Sequence, residues 1–448
     1  LSDISEMYSK ILIANRGAIA RRIVRACHDL SIGSAVVFTE PDQDAPYLSE
    51  AGEAHLIAGL SPLDSYMNTE QLLKVAKEVG ADAIHPGYGF LSENANFAKQ
   101  VRSAGMQFIG PSPEWIERMA DKVEARKLMK SAGVPTFPGS GQITNEKEAR
   151  EFVAESGLPV IVKPSGGGGG IGMKVVFDES ELGEAISNAS DMAEKSFSNG
   201  SVYLERWIAD SRHIEFQILA DLKGNVMHLF ERDCSVQRRN QKLIEEAPAF
   251  GIDRAECENL ADRLVGTVSK LGYDNLGTIE TLRSSSGEYG FLEMNTRIQV
   301  EHGVTEEVTG VDLVAAQIRL AAGEGLPEMT DLDGFAVEAR VYAEDPVSLM
   351  PSTGKLRVFR PPKLYGVRVE TGFQEGQTIT PYYDALLAKL IAKGRTREQA
   401  IGRLFVALKA FAIQGVQTNS ALLMGIIQHQ AFLEGNIDTK FLDKYKII

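Results

Sequence analysis

Cysteine is scarce in this sequence. Three thiols, Cys27, Cys234 and Cys257, are scattered over 448 residues, too few and too far apart for a disulfide framework and suited to a reducing compartment. Positive charge is short as well: 47 Lys and Arg against 61 Asp and Glu give a formal net charge of −14. That balance argues against a nucleic-acid or anionic-membrane surface. No apolar run is long enough to span a bilayer and no secretory signal opens the chain, so the expectation is a cytoplasmic protein. The seven histidines show no metal-ligand spacing, and repeats and low-complexity tracts are absent. Two familiar nucleotide signatures are missing too. The β-α-β opening, from Lys10 through Asn15-Arg16-Gly17 to Phe38, has one glycine where G-x-G-x-x-G is needed, and no G-x-x-x-x-G-K-[ST] loop opens a helix anywhere.

What is present is an ordinary globular composition, 44% apolar and 24% charged, in a chain long enough for two or three domains. One stretch organises the rest. From Glu293 to Glu301 every odd position is polar (Glu293, Asn295, Arg297, Gln299, Glu301), while Met294, Thr296, Ile298 and Val300 can face a core. An extended segment puts alternate residues on one side. The row is either an antiparallel strand with one wet face or a set of groups looking into one site. The preceding Gly277–Leu282 run leads through Ser284-Ser285-Ser286-Gly287 into Tyr289–Glu293, which reads as a hairpin. It brings Glu280 across from Glu293 and Asn295, and these hard oxygen ligands suit a magnesium ion that also holds phosphates.

Along the chain, strands at 10–14, 34–38 and 83–85 and a helix over 18–30 build a first α/β unit that closes near residue 120. Pro86–Phe90 follows a strand end, where open α/β sheets bind ligands, or is a plain Pro/Gly turn. A basic helix covers 121–133, and a second covers 146–156. The Leu158–Lys163 strand then enters Ser165-Gly166-Gly167-Gly168-Gly169-Gly170-Ile171-Gly172-Met173, and Lys174–Phe177 reads as another strand. A glycine run between two strands is a flap whose bare amides can fold over phosphates, or else a solvent linker. Lys163 beside it can reach a phosphate; alone, it would be a surface lysine. Val202–Ile208 can line an adenine slot. The charged run Glu231–Lys242 reads as a solvated loop. Strands at 213–219 and 336–342, helices at 257–271 and 311–322, short strands to about 390 and helices from 397 to about 445 complete the pass.

The glycine flap, the lysine beside it and the two-strand carboxylate site together resemble an ATP-grasp enzyme. The closer resemblance is to the biotin carboxylase component of biotin-dependent carboxylases. It is carried by KILIANRG (10–17), AIHPGYGFLSENANFA (83–98), FIGPSPE (108–114), MADKVEARKLM (119–129) and KPSGGGGGIGMKVV (163–176). ERDCSVQRRNQK (231–242), EEAP (245–248), GTIE (277–280), EMNTRIQVEH (293–302), VTE (304–306), EARVYAEDP (338–346) and PYYDALLAKLI (381–391) extend it. The family implies an α/β (α+β) fold in three parts. These are a Rossmann-like N-terminal domain over 1–120, an ATP-grasp domain over 121–330 with a lid at about 137–207, and a β-rich C-terminal domain with helices over 331–448. By resemblance, ATP is held by Lys122, Lys163, Gly168, Gly169, Gly170, Met173, Glu205, Arg206, Trp207, Ile208, His213, Gln237 and Asn240. Glu280, Glu293 and Asn295 match the magnesium (or manganese) ligands. Lys242, Arg297, Gln299 and Val300 match the bicarbonate pocket, Glu301 the general base, and Arg340, Tyr88 and Gly89 the biotin contacts.

The family implies carboxylation of biotin carried on a separate protein, through carboxyphosphate. The partners it implies are a biotin carboxyl carrier protein and a carboxyltransferase subunit. A homodimer, or membership of a larger carboxylase, follows in the same way. The Ala-Met-Lys-Met loop that carries biotin does not occur here, so carrier and transferase are expected on other chains or on removed segments. Four positions depart from the family pattern: Ala18 for Glu, Ile171 for Arg, Asn240 for His and Gly303 for Pro. They leave two rivals open, another acyl-phosphate-forming ATP-grasp ligase such as a purine-pathway carboxylase, and a catalytically weak regulatory subunit. The final acceptor stays open between acyl-CoA, pyruvate and urea, Asn240 being reminiscent of some urea carboxylases.

Overall fold

The computed structural model describes residues 8–167, 170–197, 199–328, 331–346 and 348–447. The chain opens with short apolar strands, Lys10–Ile13 (β1), Gly33–Phe38 (β2), Glu53–Leu56 (β3), Ala83–His85 (β4) and Gln107–Phe108 (β5). They form one parallel sheet in the order β3-β2-β1-β4-β5. Because parallel strands need crossovers, helices cover both faces. Gly17–Asp29 buries Ile19, Ile23 and Val24 on one side, and Leu72 and Phe97 pack with Leu12 and Val37 on the other. The order reverses beside β1, and the ends of β1 and β4 there carry Asn15 and the Pro86–Gly89 loop. Asn15 Nδ2 ties the two together by donating to the Pro86 carbonyl at 2.6 Å and the Tyr88 carbonyl at 2.8 Å.

A small four-stranded sheet follows: Gly139–Ile143 (β6), Val160–Pro164 (β7), Lys174–Val176 (β8) and Val202–Arg206 (β9), ordered β6-β9-β7-β8. The helices Glu146–Ser156 and Leu182–Phe197 back it, with a core of its own around Val153, Val160, Val162, Leu182 and Leu204. The glycine run joins β7 to β8, as the flap reading expects. Gly168 and Gly169 lie outside the described residues.

The largest sheet has eight strands. Arg212–Ala220 (β10), Val226–Arg238 (β11), Gln241–Ala247 (β12), Asn275–Arg283 (β13), Tyr289–Asn295 (β14) and Phe335–Tyr342 (β15) belong to it. Beyond β15 come two small pairs and the rest of the sheet. Gly354–Lys355 (β16) pairs with Thr378–Ile379 (β19), and Val358–Arg360 (β17) with Ala412–Gln414 (β21). Val367–Glu370 (β18) and Leu386–Gly394 (β20) complete the sheet in the order β14-β13-β10-β11-β12-β15-β20-β18. The β12–β15 ladder, Ile244↔Ala339 to Ala247↔Ala336, fuses the strands before residue 330 with those after it. Among the described residues no helix is long and apolar enough to cross a membrane.

One expectation is overturned. Glu231–Lys242 is no solvated loop but the end of β11, a two-residue turn and the start of β12. Its first three charges, Glu231, Arg232 and Asp233, are buried because partners wait for them: Arg232, 0% exposed, meets Glu215, and Asp233 meets Arg212. Arg239 (φ 50) and Asn240 (φ 64) make the turn. An asparagine is well placed there, since it tolerates the left-handed region better than most side chains.

Candidate active site

The period-two row resolves in two halves. β14 ends at Asn295 and the chain loosens; the alternation holds as far as Gln299 and fails at Val300, which lines the cavity with its two neighbours instead of facing a core. Glu293, Asn295, Arg297, Gln299 and Glu301 all line one cavity, while Met294 and Ile298 sit in two separate cores. The hairpin is also as expected: Glu280 stands opposite Glu293, and Thr278 opposite Asn295. The next strand puts Glu215 opposite Glu280. Three carboxylates thereby converge, which only nearby cations can sustain.

Lys242 supplies the first cation. Its Nζ lies 2.7 Å from Glu215 Oε2, 2.9 Å from Glu280 Oε1 and 2.7 Å from Glu301 Oε1. Burial works against its charge, but Glu215, Glu280 and Glu301 outweigh it and hold the ammonium well above its ordinary range. Arg340 supplies the second, its Nη2 3.0 Å from Glu301 Oε2 and 2.5 Å from Glu245 Oε1. Burial alone would raise the Glu301 carboxyl; Lys242, Arg340 and Arg232 reverse that and keep it well below the usual carboxylate range. Arg297 bridges the row, donating to Asn295 Oδ1 at 2.8 Å, Gln299 Oε1 at 2.9 Å and Glu93 Oε2 at 2.9 Å.

The cavity encloses about 720 Å³ between the flap sheet, the eight-stranded sheet and the ends of β1 and β4. Tyr88, Gly89, Lys122, Lys163, Gly170, Met173, Glu205, Arg206, Trp207, Ile208, His213, Gln237, Asn240, Lys242, Val300 and Arg340 all line it. Every described residue of the expected site is therefore gathered here. Lys163 is 5% exposed, not a surface lysine; it lies 3.0 Å from Glu205, which Arg126 and the Tyr203 hydroxyl also hold. Burial, only partly offset by Glu205, lowers its affinity for a proton, and an incoming phosphate would raise it again. Arg206 turns its guanidinium outward to the Ser156 carbonyl. Trp207 packs edge-on to Phe177 at 5.5 Å, and Lys440 Nζ lies 4.0 Å above its ring.

His213 reveals its own tautomer. Gln237 Nε2, a donor, lies 2.9 Å from Nδ1, so the proton sits on Nε2, 3.0 Å from Glu280 Oε2. The donor set of Glu280 and Glu293 fits a hard divalent cation, and the field there already draws cations: Lys242 sits on Glu280 and Lys122 on Glu293. Asn295 gives its oxygen to Arg297 and its NH2 to Glu280 at 2.9 Å. As a metal ligand it would turn its amide over.

Several groups at this site escaped the sequence reading: Glu93, Glu215, Arg232, Glu245 and Lys389. Glu231-Arg232-Asp233 carried a signal, a charge density suited to either water or a paired interior, and the fold chose the interior.

Two facing carboxylates, lysines on both sides and a glycine flap over one cavity define an ATP-grasp ligase. The comparisons with known proteins agree and go further. Residues 7–116 match the biotin carboxylase N-terminal domain, 121–329 the carbamoyl-phosphate synthase L chain ATP-binding domain, and 338–444 the biotin carboxylase C-terminal domain. The biotin carboxylase of Halalkalibacterium halodurans is 46% identical over 98% of either chain. The mitochondrial pyruvate carboxylase of Homo sapiens is 45% identical over 97% of this chain and 38% of its own length. A crystal structure of the biotin carboxylase domain dimer of Hydrogenobacter thermophilus 2-oxoglutarate carboxylase, with MgADP, ADP and bicarbonate, superposes with a TM-score of 0.96. It is 44% identical and covers 98% of both chains. The chain belongs to the biotin carboxylase family and is an ATP-dependent ligase of that family.

Proposed function

We propose that this chain carboxylates biotin borne on a carrier protein, using ATP and bicarbonate through carboxyphosphate. The observation that carries the reading is Glu301 held between Lys242 and Arg340 on the wall of the cavity, with Gln299 and Arg297 beside it. Both cations are engaged by Glu301. Bicarbonate entering beside Lys242, Arg297, Gln299 and Val300 would take over part of that charge. The Glu301 carboxylate, less neutralised, becomes a better base and removes the bicarbonate proton. The oxygen so exposed attacks the γ-phosphoryl of ATP, forming an O–P bond as the bond to ADP breaks. Lys122, Lys163, His213, Gln237, Asn240 and the flap amides hold the nucleotide's phosphates, and Glu205 to Ile208 its base. A divalent ion on Glu280, Glu293 and Asn295 supplies charge neutralisation of the phosphates when bound. Carboxyphosphate then yields carbon dioxide and phosphate. The phosphate takes the ureido proton of biotin, Arg340 steadies the resulting anion beside Tyr88 and Gly89, and the ureido nitrogen attacks the carbon dioxide to form the N–C bond of carboxybiotin.

The reading extends to partners: a biotin carboxyl carrier protein, a carboxyltransferase, and a second copy of this chain in a homodimer or larger carboxylase. A cytoplasmic setting fits the buried free thiols Cys27, Cys234 and Cys257. The same roles favour the division at 1–120, 121–330 with a lid at 137–207, and 331–448. The β12–β15 ladder makes the last two parts share one sheet. The decisive assay is magnesium-ATP hydrolysis with bicarbonate, with and without free biotin. Stimulation by biotin supports the proposal. A requirement for some other acceptor identifies a different acyl-phosphate ligase, and nucleotide binding without turnover identifies a regulatory role.

A further inference from the structure

Behind the wall that carries Glu301, a row of charged side chains crosses three strands. Arg340 on β15 is the register partner of Lys389 on β20, and Lys389 is the partner of Glu370 on β18. Residues directly opposite in neighbouring strands share a face, so the two cations stand side by side on the face that meets the Gln299–His302 turn. Two like charges buried as neighbours are costly. Lys389 is 0% exposed, and Glu370 at 2.9 Å is the nearer of its counter-charges, Glu338 lying at 3.8 Å. A methionine or leucine would fill that space without needing Glu370 at all.

The ammonium does something a neutralising charge need not do. Its Nζ donates to the main-chain carbonyl of Val300, the residue before Glu301. The neighbouring strand's Arg340 meanwhile holds the Glu301 carboxylate. One row of the sheet thus grips two consecutive residues, one by its backbone and one by its side chain. A third grip comes from His302, whose Nδ1 lies 2.7 Å from the Gln299 carbonyl. A carbonyl accepts, so the proton is on Nδ1, and Nε2 is bare and without a hydrogen-bond partner among the described residues. Burial and the nearby Lys389 charge keep that ring neutral. Held by these carbonyls, Gln299 sends its amide to Glu280 at 2.9 Å, and Glu301 meets Lys242 at 2.7 Å.

We infer that Lys389 is a positioning residue for the bicarbonate pocket, fixing the Val300 carbonyl so that Gln299 and Glu301 present their side chains to the anion. The inference rests on the function proposed above and concerns Lys389, whose own partners are Val300, Glu370 and Glu338 rather than the metal ligands. Misplacing reacting groups by about 1 Å can cost on the order of 100-fold in rate, and that sets the scale expected here.

The test uses the full chain, with bicarbonate-dependent, biotin-stimulated ATP hydrolysis as one readout and equilibrium ATP binding as the other. A wild-type chain without bicarbonate-dependent turnover sinks the proposed function, before any variant is read. Given an active wild type, Lys389→Met should lower kcat/KM for bicarbonate by on the order of 100-fold while ATP affinity stays within about twofold. A folded Lys389→Met with wild-type bicarbonate kinetics, or with nucleotide affinity lost in proportion, overturns the inference. That variant leaves Glu370 to Arg368 and Arg22, so the double variant Lys389→Met/Glu370→Met removes one charge of each sign together, Arg368 keeping Glu306 as its partner. A positioning role predicts that the double variant folds and still uses bicarbonate poorly. A purely neutralising role predicts recovery to wild-type kinetics, which equally refutes the inference.

Discussion

The cavity has two walls built on opposite plans. The floor, from β10 to β15 with the Gln299–Glu301 turn, is dense in charge and nearly dry. Glu215, Arg232, Glu245, Glu301 and Glu338 are all at most 1% exposed, and almost every charge there faces an opposite one. The flap opposite carries glycines and an exposed Ile171, 46% exposed, and offers phosphates little beyond main-chain amides. Gly170 lies so close to Asn240 that a Cβ there would come within 2.5 Å of its side-chain nitrogen. A fixed electrostatic floor does not reorganise during reaction, which is where transition-state stabilisation gains most. A bare glycine segment costs backbone entropy to order and so suits a cover whose closure awaits its ligand.

The comparison can be broken first at the floor. Glu301→Gln keeps shape and removes the proposed base, so turnover should fall by on the order of 1,000-fold while the chain still binds ATP. Parallel titrations of hydrolysis rate and nucleotide affinity check it, and equal losses in both would dissolve the division of labour. A smaller effect is expected at the other end of the polar row. Glu293→Gln should raise the magnesium requirement by about tenfold and leave bicarbonate saturation alone. A magnesium titration that overlays the wild type would remove Glu293 from the ligand set.

The floor's dryness has its own signature in pH. Burial, with Glu245 and Glu370 adding to it against Lys389 and Arg340, raises the Glu338 carboxyl from an ordinary 4.5 to about 8. Between those values the folded chain holds a proton that the unfolded chain has released. Stability from this residue is therefore full below pH 4.5 and is lost as pH rises to about 8. Glu338→Gln should gain on the wild type steadily across that window and by a constant amount above it. Glu245, raised to about 7, leaves a residual slope in both. Denaturant midpoints from pH 5 to 9 decide it, parallel curves for the two proteins being the failing result.

The flap offers the gentlest lever. Ile171→Arg adds a half-exposed cation near the proposed phosphate site and should tighten ATP binding by about fivefold at most, with bicarbonate kinetics unchanged. Unchanged affinity would mean that closure is set elsewhere. At Gly303, another departure from the family pattern, a Cβ would lie 2.3 Å from Ile391 Cδ1, so the end of that side chain would have to shift.

Much of this site was legible in the sequence because its signals are local. Alternation from Glu293 to Glu301, a hairpin that sets Glu280 against Glu293 and glycines between two strands each depend on neighbours a few residues apart. Those patterns determined the hairpin, the flap and the direction of the polar row, and resemblance named the chemistry. The sequence could not decide whether a run such as Glu231-Arg232-Asp233 would meet water or counter-charges, because each partner lies many residues away. Only the tertiary structure brought Arg232 onto Glu215, Arg340 onto Glu245 and Glu301, and Lys389 onto Val300, and joined β12 to β15 across the interval between them. The reason is physical: a charge is tolerated in a dry interior only when its partners are already held there, and non-local strand pairing alone arranges that.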